Sequence, residues 1–524
     1  MTGARIFDFG LTSADPAPGK NRLPGAPVEP RISDGGLPAG VEVSSAAGVR
    51  NGRARSGRQS GIQNLRPILF AAPIALLWLF CSVADRAHAV ELRVAAFKLD
   101  VTPPVGSPLC DALVPAMTGV NDPLTARGIV LAADDQEPVV LVAVDWVGIG
   151  NEGQDAWREA IAEACGTERD RVCVHALHQH DAPGCDFLAD RIAGGAGLSG
   201  KLFPVEFARD AIRRAAAAAA EAQSRLAPVT HVGYGSGRVE KVASNRRILG
   251  TDGKVEFVRY TATTDPKLRA FPEGTIDPLV KLVSFWDGDR CLAVLSYYAT
   301  HPQSYYYTGK VSADFVGMAR DQREAAENAD VHVHFNGAGG NIGAGKYNDG
   351  SPENRPVLAG RLADGMKLAW DDMRKAPAAD VEFDWATAGV QLPLADWLDE
   401  AELLAVLNNT SAGDAPRLRA ARDIAWARRV RRGRAISVGR LRLGAIDILH
   451  LPGELFVEFQ LAAQTLRPDR FICVAAYGDY GPGYIGTAEA YSQGGYETGA
   501  ESRVSRVSPR AEAELMRAIG DLLQ

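Results

Sequence analysis

The stretch with the most chemical potential is VCVHALHQHDAPG, residues 172–184. His178 and His180 stand two apart, and on an extended chain residues i and i+2 project to the same face. Such a pair offers two imidazoles to one point, which suits a metal ion or a metal plus a proton carrier. The plain alternative is two polar histidines at a strand end. Another histidine, His301, precedes Pro302 in LSYYATHPQ, and a carboxylate, Glu454, follows the Pro452-Gly453 turn in LHLPGELF. The last loop, YGDYGPGYIGTAEAYSQGGYE, is crowded with tyrosines. Imidazole and carboxylate together suit Zn2+, and the lack of a thiolate set points to a catalytic rather than a structural ion. Zinc lowers the pKa of a bound water towards about 7. A neighbouring imidazole can take and return a proton, and a tyrosine hydroxyl can donate to an oxyanion. This is the chemistry of metal-assisted amide or ester hydrolysis.

These residues need elements that bring them together. Val172, Val174 and Ala176 alternate as in a buried strand, and Pro183 and Gly184 mark the loop beyond it. ELRVAAFKLDVTPP reads as a strand stopped by Pro103-Pro104. ARGIVLAAD and PVVLVAVDWVGI read as two more, the second apolar on both faces. QDAWREAIAEAC has helical spacing at Trp157, Ile161 and Cys165. LVKLVSFWDGDRCLAVLSYYATH is a hairpin turning at Asp287-Gly288-Asp289, and it delivers His301 at its end. A helix begins at Asp314, and VHVHF leads into GAGGNIGAG; His332 and His334 inside that strand, like His175 in the first, read as structural. RLRLGAIDILHLPGELFVEFQLAAQTL combines a strand, a turn and a helix starting near Glu454. Residues 181–204 read as a long Gly-rich irregular loop, and the basic run RRVRRGR as a solvated helix face. The expected fold class is α/β, mixed β-sheets flanked by helices, with the site at strand ends, where ligands collect in such sheets.

Composition bounds the remaining possibilities. The chain has 524 residues, 46% hydrophobic and 23% charged, with formal net charge −7, so no basic surface calls for nucleic acid. Residues 1–65, rich in Gly, Pro, Ser and Arg, read as a disordered leader. Arg66, the apolar block PILFAAPIALLWLFCSVA and Ala87-His88-Ala89 then form a signal peptide over 66–89. The block is about 15 residues long and contains Pro73, short of the ~20 that span a bilayer. No integral span is therefore expected in the mature chain, which would be secreted or periplasmic, the alternative being retention of 66–89 as an anchor. Residues 1–89 hold ten basic and six acidic residues, leaving 47 basic and 58 acidic, a net of −11. Of the seven cysteines, Cys81 lies in the signal segment and the other six show no CxxC.

Seven segments, in order, resemble motifs of the neutral/alkaline (non-lysosomal) ceramidase family. LDVTPPVG resembles its D-I/V-T opening, LHQHDAPG its T-H-T-H-S-G-P-G, and SNRRIL its I-N-R-S/R. YYATHPQSY resembles F-A-V-H-x-T-S, GAGGNIGAG resembles A-G-N-L-S-P-N, and LPGELF resembles V-P-G-E-F-T. YIGTAEAYSQGGYE resembles Y-V-T-T-x-E-E-Y-x-x-x-x-Y-E. The resemblance covers roughly residues 93–505 and makes 90–524 a ceramidase-like hydrolase domain. It implies one Zn2+ per chain held by His178, His301, Glu454 and Tyr484. It also implies His180 as proton shuttle, Tyr496 polarising the scissile carbonyl, and Arg246 and Gly343 at the substrate. The reaction implied is hydrolysis of the N-acyl amide of ceramide or a related N-acylated compound.

The chain departs from the pattern at Gly343 and Asp181, each standing where the family has Ser, and the family's C-terminal immunoglobulin-like domain is not expected in it. Two other readings follow: the same chemistry on an N-acyl amino acid or amino sugar, and a non-catalytic metal-containing binding protein. The eight βα repeats of an amidohydrolase barrel are not found.

Overall fold

The structure, a computed structural model, describes residues 91–524 apart from residue 135. The leader and signal segments expected at 1–65 and 66–89 lie outside the described residues. Three main sheets carry the site. In the first, β1 (Arg93–Asp100), β2 (Thr125–Ala132) and β3 (Val139–Val144) run antiparallel to their neighbours. Helix α1 (Glu152–Cys165) then crosses over to β4 (Val172–Ala176), which lies parallel to β3. The second sheet repeats this ending. β5 (His231–Arg238), β6 (Leu279–Asp287) and β7 (Arg290–Tyr298) are antiparallel, and a helix over Asp314–Glu327 returns the chain to β8 (His332–Asn336), parallel to β7. In the third, β9 (Phe383–Val390), β10 (Ile436–Leu443) and β11 (Ile446–His450) are antiparallel. A helix over Val457–Leu466 leads to β12 (Phe471–Ala475), parallel to β11.

Each sheet thus ends in a βαβ unit, and this places the chemistry. A parallel pair needs a crossover, so the chain leaves both strands of each pair at the same sheet edge. The apolar periodicity shows why the sheets come together. On β3, Val139, Leu141 and Ala143 face a core shared by all three sheets, with Phe285, Leu295 and Phe335 from the second and Ile446, Ile448 and Cys473 from the third. Val140, Val142 and Val144 face a separate core against α1 and the Ala-rich helix Val205–Gln223. The unbroken apolar run of β3 is explained by burial on both faces. None of the described helices is long and apolar enough to cross a membrane.

Several local expectations need correction. The segment 181–204 contains a helix, Phe187–Gly194, capped by Asp186, whose carboxylate accepts from the Ala189 N–H at 3.0 Å; the abundant glycines beyond it hide the cap in the sequence. The helix expected near Glu454 starts at Val457, and Glu454 sits instead in the two-residue strand Glu454–Leu455. RLRLGAIDILH is two strands turning at Gly444, which has φ +56°. The basic run is solvated only in part: Arg431 pairs with Glu400 near the surface, but Arg429 is buried against Asp155 at 2.6 Å and Asp479 at 3.4 Å. His332 and His334 are structural as expected, bridged in the core by Ser296 at 2.9 and 2.8 Å.

Candidate active site

The loops following β4, β7, β11 and β12 carry His178, His301, Glu454 and Tyr484 to one point. His178 takes φ +67°, a strained conformation for a residue with a β-carbon. The backbone over-determines it: its N–H donates to Trp146 at 2.8 Å and its carbonyl accepts from Gln303 at 2.7 Å. Its Nδ1 meets the Val147 carbonyl at 2.6 Å, while Nδ1 of His301 meets the carbonyls of Gly339 and Ile342 at 2.6 and 3.0 Å. Carbonyls only accept, so both Nδ1 atoms carry the proton and both Nε2 atoms present lone pairs.

Those lone pairs converge on Oε2 of Glu454, 3.2 Å from His178 and 3.0 Å from His301. The Tyr484 hydroxyl lies 3.2 Å from Nε2 of His301. Ligand atoms about 2.0–2.2 Å from a tetrahedral ion stand about 3.3 Å apart, so these separations match the edges of a coordination shell. Two imidazole nitrogens, a carboxylate and a phenol oxygen therefore form a donor set that fits a divalent cation, and His178, His301 and Glu454 could hold one.

The glycine cluster seats two of these residues. A β-carbon on Gly340 would fall inside contact distance of the Glu454 carbonyl oxygen, so the segment that orients His301 can approach Glu454 only with glycine there. Arg246 closes the opposite side. Its Nη1 lies 3.2 Å from the Tyr484 hydroxyl and 3.5 Å from Nε2 of His301. Its Nε lies 3.3 Å from Glu497, a fully buried carboxylate that also meets Arg247 at 3.2 Å. Gly343 packs under the stem of Arg246, where an added β-carbon would sit at an ordinary 3.6 Å from Cγ and Cδ.

His180 stands beside the cradle, its ring 5.4 Å from that of His178 and 4.6 Å edge-on from Tyr306. Burial holds it well below the usual imidazole range, so at pH 7 it is a neutral base. It is only partly buried among the described residues. Tyr496 stacks edge-on to Tyr484 at 5.8 Å and lies under the Arg246 guanidinium at 5.3 Å; burial raises its hydroxyl above the normal range. All eight residues singled out in the sequence therefore meet in one region.

Others were not anticipated. Tyr477 stacks on His178 at 5.0 Å, and Glu497 anchors Arg246; the only local signal was the density of tyrosine and the Tyr-Glu pair itself. Asp181, where the chain departs from the family pattern, ties down the loop after His301. It accepts from the Tyr307 N–H at 3.1 Å and the Thr308 hydroxyl at 2.6 Å, which fixes Tyr306 against His180.

Fold and site together define a mixed α/β protein whose cation cradle is built from the ends of three sheets. Its fold is that of the neutral ceramidases. It matches a solved "Ceramidase complexed with C2" at a TM-score of 0.59 and 17% identity, covering 83% of this chain and 75% of that one. The neutral ceramidase from Pseudomonas aeruginosa matches at 0.57 and 18%, covering 83% and 74%. No protein-family model matches the chain, and neither does any curated protein sequence.

Proposed function

We propose that this protein is a zinc-dependent hydrolase cleaving the N-acyl amide bond of ceramide or a related N-acylated compound. One observation carries the reading: the Nε2 lone pairs of His178 and His301 meet a single oxygen of Glu454, with the Tyr484 hydroxyl beside them, on a ceramidase fold. Zinc held by His178, His301, Glu454 and Tyr484 would supply Lewis acidity and would make water acidic enough to attack at neutral pH.

The chain's own groups do the rest. Neutral His180 takes the proton of the attacking water and returns it to the amine nitrogen as the C–N bond breaks. The Tyr496 hydroxyl, kept protonated by burial, donates to the developing oxyanion. Arg246, held by Glu497, keeps the Tyr484 hydroxyl in place and adds positive charge beside the acyl oxygen. Gly343 widens the space next to Arg246 where the family pattern carries a hydroxyl, an observation that favours a related amide, such as an N-acyl amino acid or amino sugar, as second reading. Residues 1–65 as leader and 66–89 as signal peptide complete the proposal and would make 90–524 an exported domain; N-terminal sequencing of exported protein should begin at Val90. The functional test is an assay of amine release by zinc-loaded protein from ceramide and from short N-acyl amides. Release from at least one substrate is expected, and release from none overturns the reading.

A further inference from the structure

A second cluster of ligand-type side chains lies outside this site, in the core shared by the three sheets. Cys173 and His175 are two apart on β4 and so share a face, and His450 ends β11 opposite them. One potential ligand atom from each lies within 4.8 Å of the others. His175 Nδ1 meets the Ala476 carbonyl at 2.7 Å, which puts its proton there and leaves Nε2 as a lone pair. That lone pair faces Nδ1 of His450 at 2.9 Å.

We infer that Cys173, His175 and His450 form a second metal site, for a thiophilic d10 cation, Zn2+ or Cu+. A thiolate with two imidazoles selects such ions over hard cations. The backbone carbonyl on Nδ1 of His175 is the outer partner that orients a ligating imidazole. Cys173 is the partly exposed member of the three.

Without the ion the cluster carries no charge. Burial pushes the Cys173 thiol up to about 12 and His175 down to about 4, so thiol and imidazoles are both neutral at pH 7. Binding releases the thiol proton to solvent and moves the His450 proton from Nδ1 to Nε2, freeing Nδ1 as a ligand. Affinity should therefore rise about tenfold for each pH unit, because one proton leaves per ion bound.

The experiment is elemental analysis of the full chain purified without chelator, reconstituted in parallel with Zn2+ and, under reducing anaerobic conditions, with Cu+. It is paired with Co2+ substitution read by thiolate-to-metal charge-transfer absorption. Wild type should hold one more equivalent of cation than Cys173→Ser, and the Co2+ thiolate band should vanish in that variant. Cys173→Ser should keep its circular dichroism spectrum, so the loss is not unfolding. His450→Gln should lose the same equivalent. Equal cation content in wild type and Cys173→Ser, or a thiolate band that survives the substitution, overturns the proposal and leaves a hydrogen-bonded histidine pair.

Discussion

Glu454 and Tyr484 are paired main chain to main chain in a two-residue parallel ladder, with Leu455 opposite Ile485. The Glu454 N–H donates to the Gly483 carbonyl at 2.9 Å. The carboxylate and the phenol of the cradle are thus set side by side by backbone hydrogen bonds, although 29 residues of sequence, including a helix and a strand, separate them. Their spacing does not depend on whether a cation is bound, whereas the two imidazoles are fixed independently, through Nδ1, by backbone carbonyls.

Ligand and proton carrier should separate by measurement. His301→Ala removes one donor of the cradle and is expected to lower cation affinity at least 100-fold, read as metal content after dialysis. His180→Ala leaves all four donors in place. It should keep the cation and lose about 10²–10⁴ in kcat, the usual worth of a positioned acid–base group. Unchanged metal content in His301→Ala would show the ligand assignment to be wrong.

Glu497→Gln tests the anchor of Arg246. The carboxylate is fully buried and faces both Arg246 and Arg247. Removing its charge leaves two guanidinium groups without their counter-ion, and breaking buried pairs in this way costs about 3–5 kcal/mol. Chemical denaturation should register a loss of that order, and kcat should fall with it because Arg246 no longer holds the Tyr484 hydroxyl. A variant as stable as wild type would mean that Glu497 is not the anchor.

Two glycines near the site should respond in opposite ways. Gly343→Ser places its β-carbon in ordinary contact with Arg246 and should change stability by less than about 1 kcal/mol. Its effect should appear in the ratio of kcat/KM between ceramide and short N-acyl amides. Gly340→Ala forces the glycine loop that orients His301 away from Glu454. Overpacking of this kind costs about 1–3 kcal/mol, and the variant should also bind its cation less tightly.

Asp181→Ala should loosen the loop that presents Tyr306. The change removes the acceptor shared by the Tyr307 and Thr308 N–H groups and the Thr308 hydroxyl, hydrogen bonds on a partly exposed loop worth about 0.5–1.5 kcal/mol each. Limited proteolysis should then cut between residues 304 and 309 faster than in wild type. Equal cleavage rates would rule out the strap.

Acid should destabilise the fold through its buried histidines. Burial, then the neighbouring His332, lowers His334 to about 3. A group whose folded pKa is depressed contributes stability that is present above its unfolded value, about 6.5. That stability is lost as pH falls towards 3, at about 1.4 kcal/mol per pH unit. Urea unfolding between pH 7 and pH 4 should show this slope, and His334→Gln should reduce it by about that amount. An identical slope in the variant would remove His334 as its source.

Much of this protein is legible in the amino-acid sequence because the relevant signals are local. Alternation over a few residues marks β4, the turn at Asp287-Gly288-Asp289 marks the apolar hairpin that ends in β7, and the two-residue spacing of His178 and His180 puts both at one strand end. The Pro-Gly before Glu454 announces a junction, and the ordered motifs imply the ceramidase fold. Only the tertiary structure decides that these junctions meet, because convergence depends on three separate sheets packing their inner faces on one core, a relationship between residues hundreds of positions apart. The same long-range packing makes Asp181, a departure from the family pattern, a loop anchor and buries Glu497 beside Arg246. It also places His450 opposite Cys173 and His175, which no spacing along the chain foretells. Periodicity reports which face of an element is buried, and the pairing of faces reports what it is buried against; the first belongs to the sequence and the second to the fold.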